Sequence, residues 1–234
     1  MNDDREGSRT ASVLFVDDDR DVADVMQAIL EDDGYTVSCL YDLADEALLR
    51  AVGRLEPDVI LLDDASATDY GGSWALASAI AERRRPVPVV MLTRSSGDVT
   101  EAAEATSSRA AAAHFAATVL KPFDLDELLT AVATAAGRSV SFDRSEAGDE
   151  RRSDELVAAL DARGATDVRP SRMREWALFR DNRGRLLQIY WWQSRGVFQV
   201  GRYRETGQLA MLGQFADRDA AIDIALPPSE VAGN

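Results

Sequence analysis

Lysine is almost missing from this chain. Of 26 basic residues set against 41 acids, one is lysine, Lys121, and the rest are arginine. Cysteine and histidine are equally scarce, with Cys39 and His114 the single copies. One cysteine excludes an internal disulfide framework and an all-cysteine metal site, and with one histidine beside it zinc lacks its usual ligands. No apolar run approaches the about 20 residues that a membrane-crossing helix needs. The opening MNDDREGSRT has no apolar segment of the signal-peptide kind. These absences lead to the expectation of a soluble, cytoplasmic protein without membrane contact.

What is present allows real cores. The chain has 234 residues, 46% of them hydrophobic, enough for one large domain or two modest ones. Charge is split unevenly. Residues 151–234 carry 13 Arg against 11 acids, a net of +2, which leaves −17 of the total −15 to residues 1–150. Such an asymmetry predicts two units with different surfaces, and the acidic first half would repel nucleic-acid phosphates.

The first half alternates strand and helix signals. Ser-Val-Leu-Phe-Val at 12–16 is an apolar run closed by Asp17, Asp18 and Asp19, as expected for a strand buried on both faces. Val22, Val25, Met26, Ile29 and Leu30 follow at helical spacing, and Gly34 ends that helix. The pattern continues with strands at Tyr35–Leu40, Val59–Leu62, Val89–Leu92 and Thr118–Leu120, and helices at Asp45–Leu55 and about Ser73–Arg84. An Ala-rich helical stretch precedes the last of these strands, and a final helix follows it, with Asp124 and Glu127 as a capping box. Five strand–helix units in series predict a doubly wound α/β fold with a five-stranded parallel sheet. Ligands of such folds sit at the carboxyl ends of the strands, which here carry Asp17 and Asp18, Asp63, Thr93 and Lys121.

The second half reads differently. Residues 138–153 are polar and charged, as a linker would be. An amphipathic helix over Ser153–Gly164 leads to strands at Trp176–Arg180, Leu186–Gln193, Val197–Arg204 and Gln208–Phe215. Asn182-Arg183-Gly184, Arg195-Gly196 and Thr206-Gly207 supply the turns, and Asp217 caps a last short helix. The expectation is an α/β domain over 11–137 and a small α+β domain over 154–228 built on an antiparallel meander.

Three carboxylates at one sheet edge repel unless a cation neutralises them, and hard oxygen ligands of this kind suit Mg²⁺. A carboxylate beside Mg²⁺ can attack phosphorus and form an aspartyl phosphate. A threonine hydroxyl and a compact ammonium can then satisfy the remaining phosphoryl oxygens. That gives the solitary lysine a reason: it is a point charge on a flexible stem, whereas arginine brings a wide planar fork.

VLFVDDD, PDVILLDD, VPVVMLT and TVLKPF, in this order and spacing, resemble the receiver domain of two-component response regulators, a flavodoxin-like fold. The resemblance implies that Asp63 accepts a phosphoryl group from a sensor histidine kinase. It implies that Asp17, Asp18, Asp63 and the backbone carbonyl of Ala65 hold Mg²⁺, that Thr93 and Lys121 contact the phosphoryl group, and that Lys121-Pro122 is a cis peptide. It implies no enzyme activity beyond the receiver's own phosphorylation and dephosphorylation. The chain departs from the family pattern at Asp64, where an apolar residue is usual, at Ala67, at Thr118 in place of an aromatic, and in the longer segment between Thr93 and Lys121. Gly71 matches the family's glycine.

Asp19 and Asp64 read as extra surface acids, His114 as a packed or surface histidine, Cys39 as a small buried apolar residue, and Arg83-Arg84-Arg85 as complementing a helix C-terminus. Tyr190, Trp191, Trp192, Phe198 and Tyr203 read as the core of the meander, although alternation puts Trp191 on the opposite face from Tyr190 and Trp192. With Arg183, Arg185, Arg195, Arg202 and Arg204 among them, an exposed sheet could contact nucleic acid, or form a homodimer or partner interface. The C-terminal segment faintly resembles three-strand DNA-binding modules. Two alternatives to a phosphorylated regulator thus stand: a phosphorylation-independent scaffold and a DNA-binding regulator.

Overall fold

The structure, a computed structural model, describes residues 10–41, 44–64, 72–123, 125–138, 147–171, 175–192, 195–205 and 209–227. Five strands, β1 (Ser12–Val16), β2 (Thr36–Leu40), β3 (Val59–Asp63), β4 (Val89–Thr93) and β5 (Ala117–Leu120), form a parallel sheet in the order β2-β1-β3-β4-β5. Period-two alternation divides their side chains between two cores. Val13, Phe15, Val59, Leu61, Val90, Leu92 and Val119 face α1 (Arg20–Asp32) and α6 (Leu125–Ala135). Leu14, Val16, Ile60, Leu62, Val89 and Met91 face α2 (Asp45–Leu55), α3 (Gly72–Ala81) and α5 (Ser108–Ala113). A chain buried on both faces needs apolar residues at every position, which is why these strands read as continuous runs.

Local chemistry sets the helix ends. Asp19 does not act as a mere surface acid: its Oδ1 accepts from the N–H of Asp21 at 3.0 Å and of Val22 at 3.4 Å, capping α1. Gly34, at φ +80°, takes the left-handed conformation that lets the chain reverse into β2. The Ala-rich segment resolves into two helices, α4 (Ser96–Glu104) and α5, capped by Ser95 and Ser107. His114 is exposed and occupies the left-handed position that ends α5, and Cys39 lies half-buried in β2. The arginine run lies beyond the end of α3, where Arg85 pairs with Glu56 and Arg83 reaches the carbonyl of Leu49. Asp124, the expected cap of α6, lies outside the described residues.

The second half begins with α7 (Ala147–Ala162), which starts inside the segment read as a linker. An antiparallel sheet follows in the order β10-β9-β8-β7-β6, from β6 (Thr166–Pro170), β7 (Trp176–Arg180), β8 (Leu186–Trp192), β9 (Val197–Tyr203) and β10 (Leu209–Phe215). The sequence predicts four of these five strands. β6 is mostly exposed and polar along its length, so no apolar alternation marks it. α7 and α8 (Arg218–Ala225) cover one face through Leu156, Leu160, Ala221 and Ile222, and Asp217 caps α8 as expected, accepting from the N–H of Ala220 at 3.0 Å.

On the other face of this sheet the aromatics are core, as the sequence leads one to expect, but that core is not the meander's alone, and the alternative of an exposed aromatic surface fails. Trp176, Leu178, Tyr190, Trp192 and Leu209 join Val25, Met26, Ile29, Leu128 and Val132 in one continuous core. The antiparallel sheet thus packs on α1 and α6, the same helices that cover the parallel sheet. Trp191 points the other way, against Phe198, as alternation requires. Polar bonds cross the junction: Tyr190 OH donates to Asp32 Oδ2 at 2.6 Å and Ser171 Oγ to Asp126 Oδ1 at 2.7 Å. Burying an apolar side chain contributes about 1.5–3 kcal/mol, so five of them on one face bind the two halves together firmly.

Candidate functional site

The carboxyl edge of the parallel sheet gathers the residues that follow β1, β3, β4 and β5. Because all strands run in one direction, their ends meet on one rim. Asp17 is 1% exposed, Asp63 6% and Thr93 fully buried. Lys121 Nζ lies 3.0 Å from Asp63 Oδ1, and the backbone N–H of Lys121 donates to the carbonyl of Thr93 at 2.6 Å, tying the ends of β4 and β5 together. Lys121-Pro122 is a cis peptide, as expected.

Asp17 is electrostatically stressed. Its Oδ1 accepts from the N–H of Asp19 at 2.8 Å, while its buried Oδ2 has no hydrogen-bond donor among the described residues. Burial first, and then the neighbouring Asp63 carboxylate, push its pKa up to about 7, against the pull of the Lys121 ammonium. Two buried carboxylates that cannot comfortably both ionise are what a divalent cation relieves. The donors are hard oxygens, so the pair fits Mg²⁺, which takes few protein ligands and keeps several waters. Among the described residues no group of three carboxylate, thiolate or imidazole side chains is placed to hold a metal ion. Asp18 is exposed at the rim, and Ala65 lies outside the described residues, as do Ala67 and Gly71.

Thr93 does not reach toward Asp63. Its hydroxyl donates to Asp64 Oδ2 at 3.1 Å, and its oxygen accepts from the N–H of Ser95 at 3.0 Å. The other oxygen of Asp64 accepts from the hydroxyl of buried Ser73 at 2.9 Å. Asp64 is therefore not a surface acid but a half-buried bridge between β4 and α3. Alternation along β3 accounts for this: Ile60 and Leu62 face α3, so position 64 turns to the same side, where Ser73 stands. That periodicity was the available signal for Asp64. Ser73 carried none, since a serine opening a helix is commonplace.

A family model for the response regulator receiver domain matches residues 13–133, just over half of the chain. The chain belongs to the response regulator receiver family. The receiver portion is similar to the receiver domain of NtrX from Brucella abortus, at 26% identity over 54% of this chain and 99% of that one, with a TM-score of 0.45. It is likewise similar to the chemotaxis response regulator CheY4 of Vibrio cholerae, at 23% identity over 54% and 98%, with a TM-score of 0.44. A two-component response regulator from Clostridium difficile matches at 21% identity over 56% and 100%, with a TM-score of 0.45. Beyond the receiver, no helix of the described residues is long and apolar enough to cross a membrane.

Proposed function

We propose that this receiver accepts a phosphoryl group on Asp63 from a sensor histidine kinase, with Mg²⁺ bound by Asp17, Asp63 and, through the rim, Asp18. The observation that carries the reading is the Lys121 ammonium 3.0 Å from a buried Asp63 carboxylate, with a second buried carboxylate, Asp17, beside it. In the transfer, a carboxylate oxygen of Asp63 forms a bond to phosphorus as the phosphorus–nitrogen bond of the donor phosphohistidine breaks, and the leaving imidazole nitrogen takes a proton. Bound Mg²⁺ would neutralise charge on the phosphoryl oxygens. Lys121 pairs with one of those oxygens and, 3.0 Å from Asp63 Oδ1, holds that carboxylate in place. The sheet rim holds the nucleophile out of bulk water, and Thr93 supplies a hydroxyl once it leaves Asp64.

The shared core with α1 and α6 supports output through the C-terminal domain, since a change at the rim would bear on helices on which the antiparallel sheet rests. Such a protein works as a cytoplasmic regulator rather than as an enzyme acting on other substrates. The test is incubation of the full chain with acetyl phosphate and Mg²⁺, read by intact mass. An adduct of one phosphoryl group, absent in Asp63→Asn, is expected, and no adduct under any donor sinks the reading. The bond between Thr93 and Asp64 favours a second reading, a scaffold whose partner binding ignores phosphorylation. It predicts identical partner affinity in the wild type and in Asp63→Asn.

A further inference from the structure

A cavity of about 390 Å³ lies between the receiver rim and the antiparallel sheet, within the size range of small-molecule sites. Its charge runs against the chain's acidic balance of −15: Arg94, Lys121, Arg180, Arg183, Arg185 and Arg204 line it, and Glu205 is the single lining carboxylate. These cations come from four separated stretches: the end of β4, the start of the segment after β5, the β7–β8 connection and the segment after β9. Packing of the two sheets on the same helices is what brings them together.

The turn that presents two of these arginines is built rigidly. Asp181 is 3% exposed, and its carboxylate accepts from the backbone N–H groups of Arg183 and Arg185 at 2.9 Å each and from the Arg185 Nε at 2.6 Å. Arg180 NH1 donates to the carbonyl of Gly184 at 3.0 Å, closing the same turn. Arg185 thereby spends its charge on Asp181 and serves as scaffolding. Arg94, Arg183 and Arg204 have no carboxylate partner among the described residues. Three unpaired guanidiniums facing one space repel each other until an anion enters. Their planar forks match phosphate oxygens, two bonds at a time. Lys121 belongs both to this cavity and to the ion pair with Asp63.

We propose that this cavity binds a small polyphosphorylated anion, held by Arg94, Arg183 and Arg204, with Lys121 shared between the anion and Asp63. The site does not require Asp63 to be phosphorylated. Occupation draws on the ammonium that Asp63 uses, so a bound anion would also compete with the carboxylate for Lys121.

The test is isothermal titration calorimetry of the full chain, with EDTA present, against pyrophosphate and against ATP. Saturable binding of one anion per chain is expected for at least one probe, weakened at least tenfold in Arg183→Glu and in Arg204→Glu, with unchanged thermal melts because both side chains are exposed. Asp63→Asn, which releases Lys121 from its partner, should bind at least as tightly as the wild type. Absence of saturable binding by both probes overturns the proposal, as does binding undiminished in the Arg183→Glu/Arg204→Glu double variant. Binding lost in Asp63→Asn would show that the anion depends on the Asp63 carboxylate instead of competing with it for Lys121, and would overturn the proposal. Retention of duplex DNA with the same arginine dependence, without binding of either probe, would overturn it in favour of nucleic acid. Loss of phosphoryl acceptance from acetyl phosphate leaves this outcome unaffected, so the two readings fail separately.

Discussion

Thr93 gives its hydroxyl hydrogen to Asp64, 3.1 Å away, rather than to the phosphoacceptor candidate next to it in the chain. A hydroxyl has one hydrogen to donate, so contact with a phosphoryl group on Asp63 requires that this bond break. A hydrogen bond to a charged group is worth about 1.5–3 kcal/mol. The rim is therefore biased against the phosphoryl-bound arrangement by its own neighbour.

Replacing Asp64 should remove that bias. Asp64→Ala is expected to raise the apparent affinity for beryllofluoride with Mg²⁺ by about tenfold, the equivalent of about 1.4 kcal/mol, as read by tryptophan fluorescence. Unchanged or weaker affinity would mean that Thr93 takes no part in holding the phosphoryl group.

The Asp17 carboxyl gives the metal-free protein a pH signature. Its proton leaves near pH 3.8 in the unfolded chain but near 7 in the folded one. As pH rises between these values the unfolded state ionises first, so the folded state loses stability across this window and loses no more above it. The ceiling is about 4 kcal/mol at about 1.4 kcal/mol per pKa unit. Asp17→Asn should abolish this slope: urea melts in EDTA at pH 4.5 and pH 8 should find the variant gaining on the wild type at the higher pH. Mg²⁺ should restore the wild type at pH 8. Parallel stability curves would refute the stressed carboxylate pair.

Lys121 pulls the Asp17 titration downward. Lys121→Ala should therefore move the Asp17 midpoint above that of the wild type, measured by carboxyl carbon chemical shifts during a pH titration. A midpoint that stays or falls would place the ammonium's influence elsewhere.

The junction between the halves should be read by stability. Trp176 is 2% exposed within the core shared with α1 and α6, and Trp176→Ala should cost about 3–5 kcal/mol, as large aromatic truncations do. Tyr190→Phe, which removes the 2.6 Å bond to Asp32, should cost about 1 kcal/mol. Denaturant unfolding of the wild type should show a single transition by circular dichroism and fluorescence alike. Two separated transitions would mean that the sheets do not share a core.

The sequence by itself determined the parallel sheet and the identity of its polar rim. Strands buried on both faces must be apolar throughout, so each ended visibly where Asp17, Asp63, Thr93 or Lys121 began, and a common strand direction carries those ends to one edge. It also determined most of the second sheet, and the opposed facing of Tyr190 and Trp191, because period two is a local property. Only tertiary structure decided what those side chains meet. Asp64 looked like one more acid until α3 brought Ser73 against it and β4 brought Thr93. The aromatics read as the core of the meander alone until α1 and α6 joined it, and the polar edge strand β6 gave no local signal at all. Arg94, Arg183 and Arg204, scattered along the sequence, share a cavity because two sheets pack on one pair of helices. Periodicity is written in neighbouring residues, whereas a contact between distant segments depends on how whole layers stack.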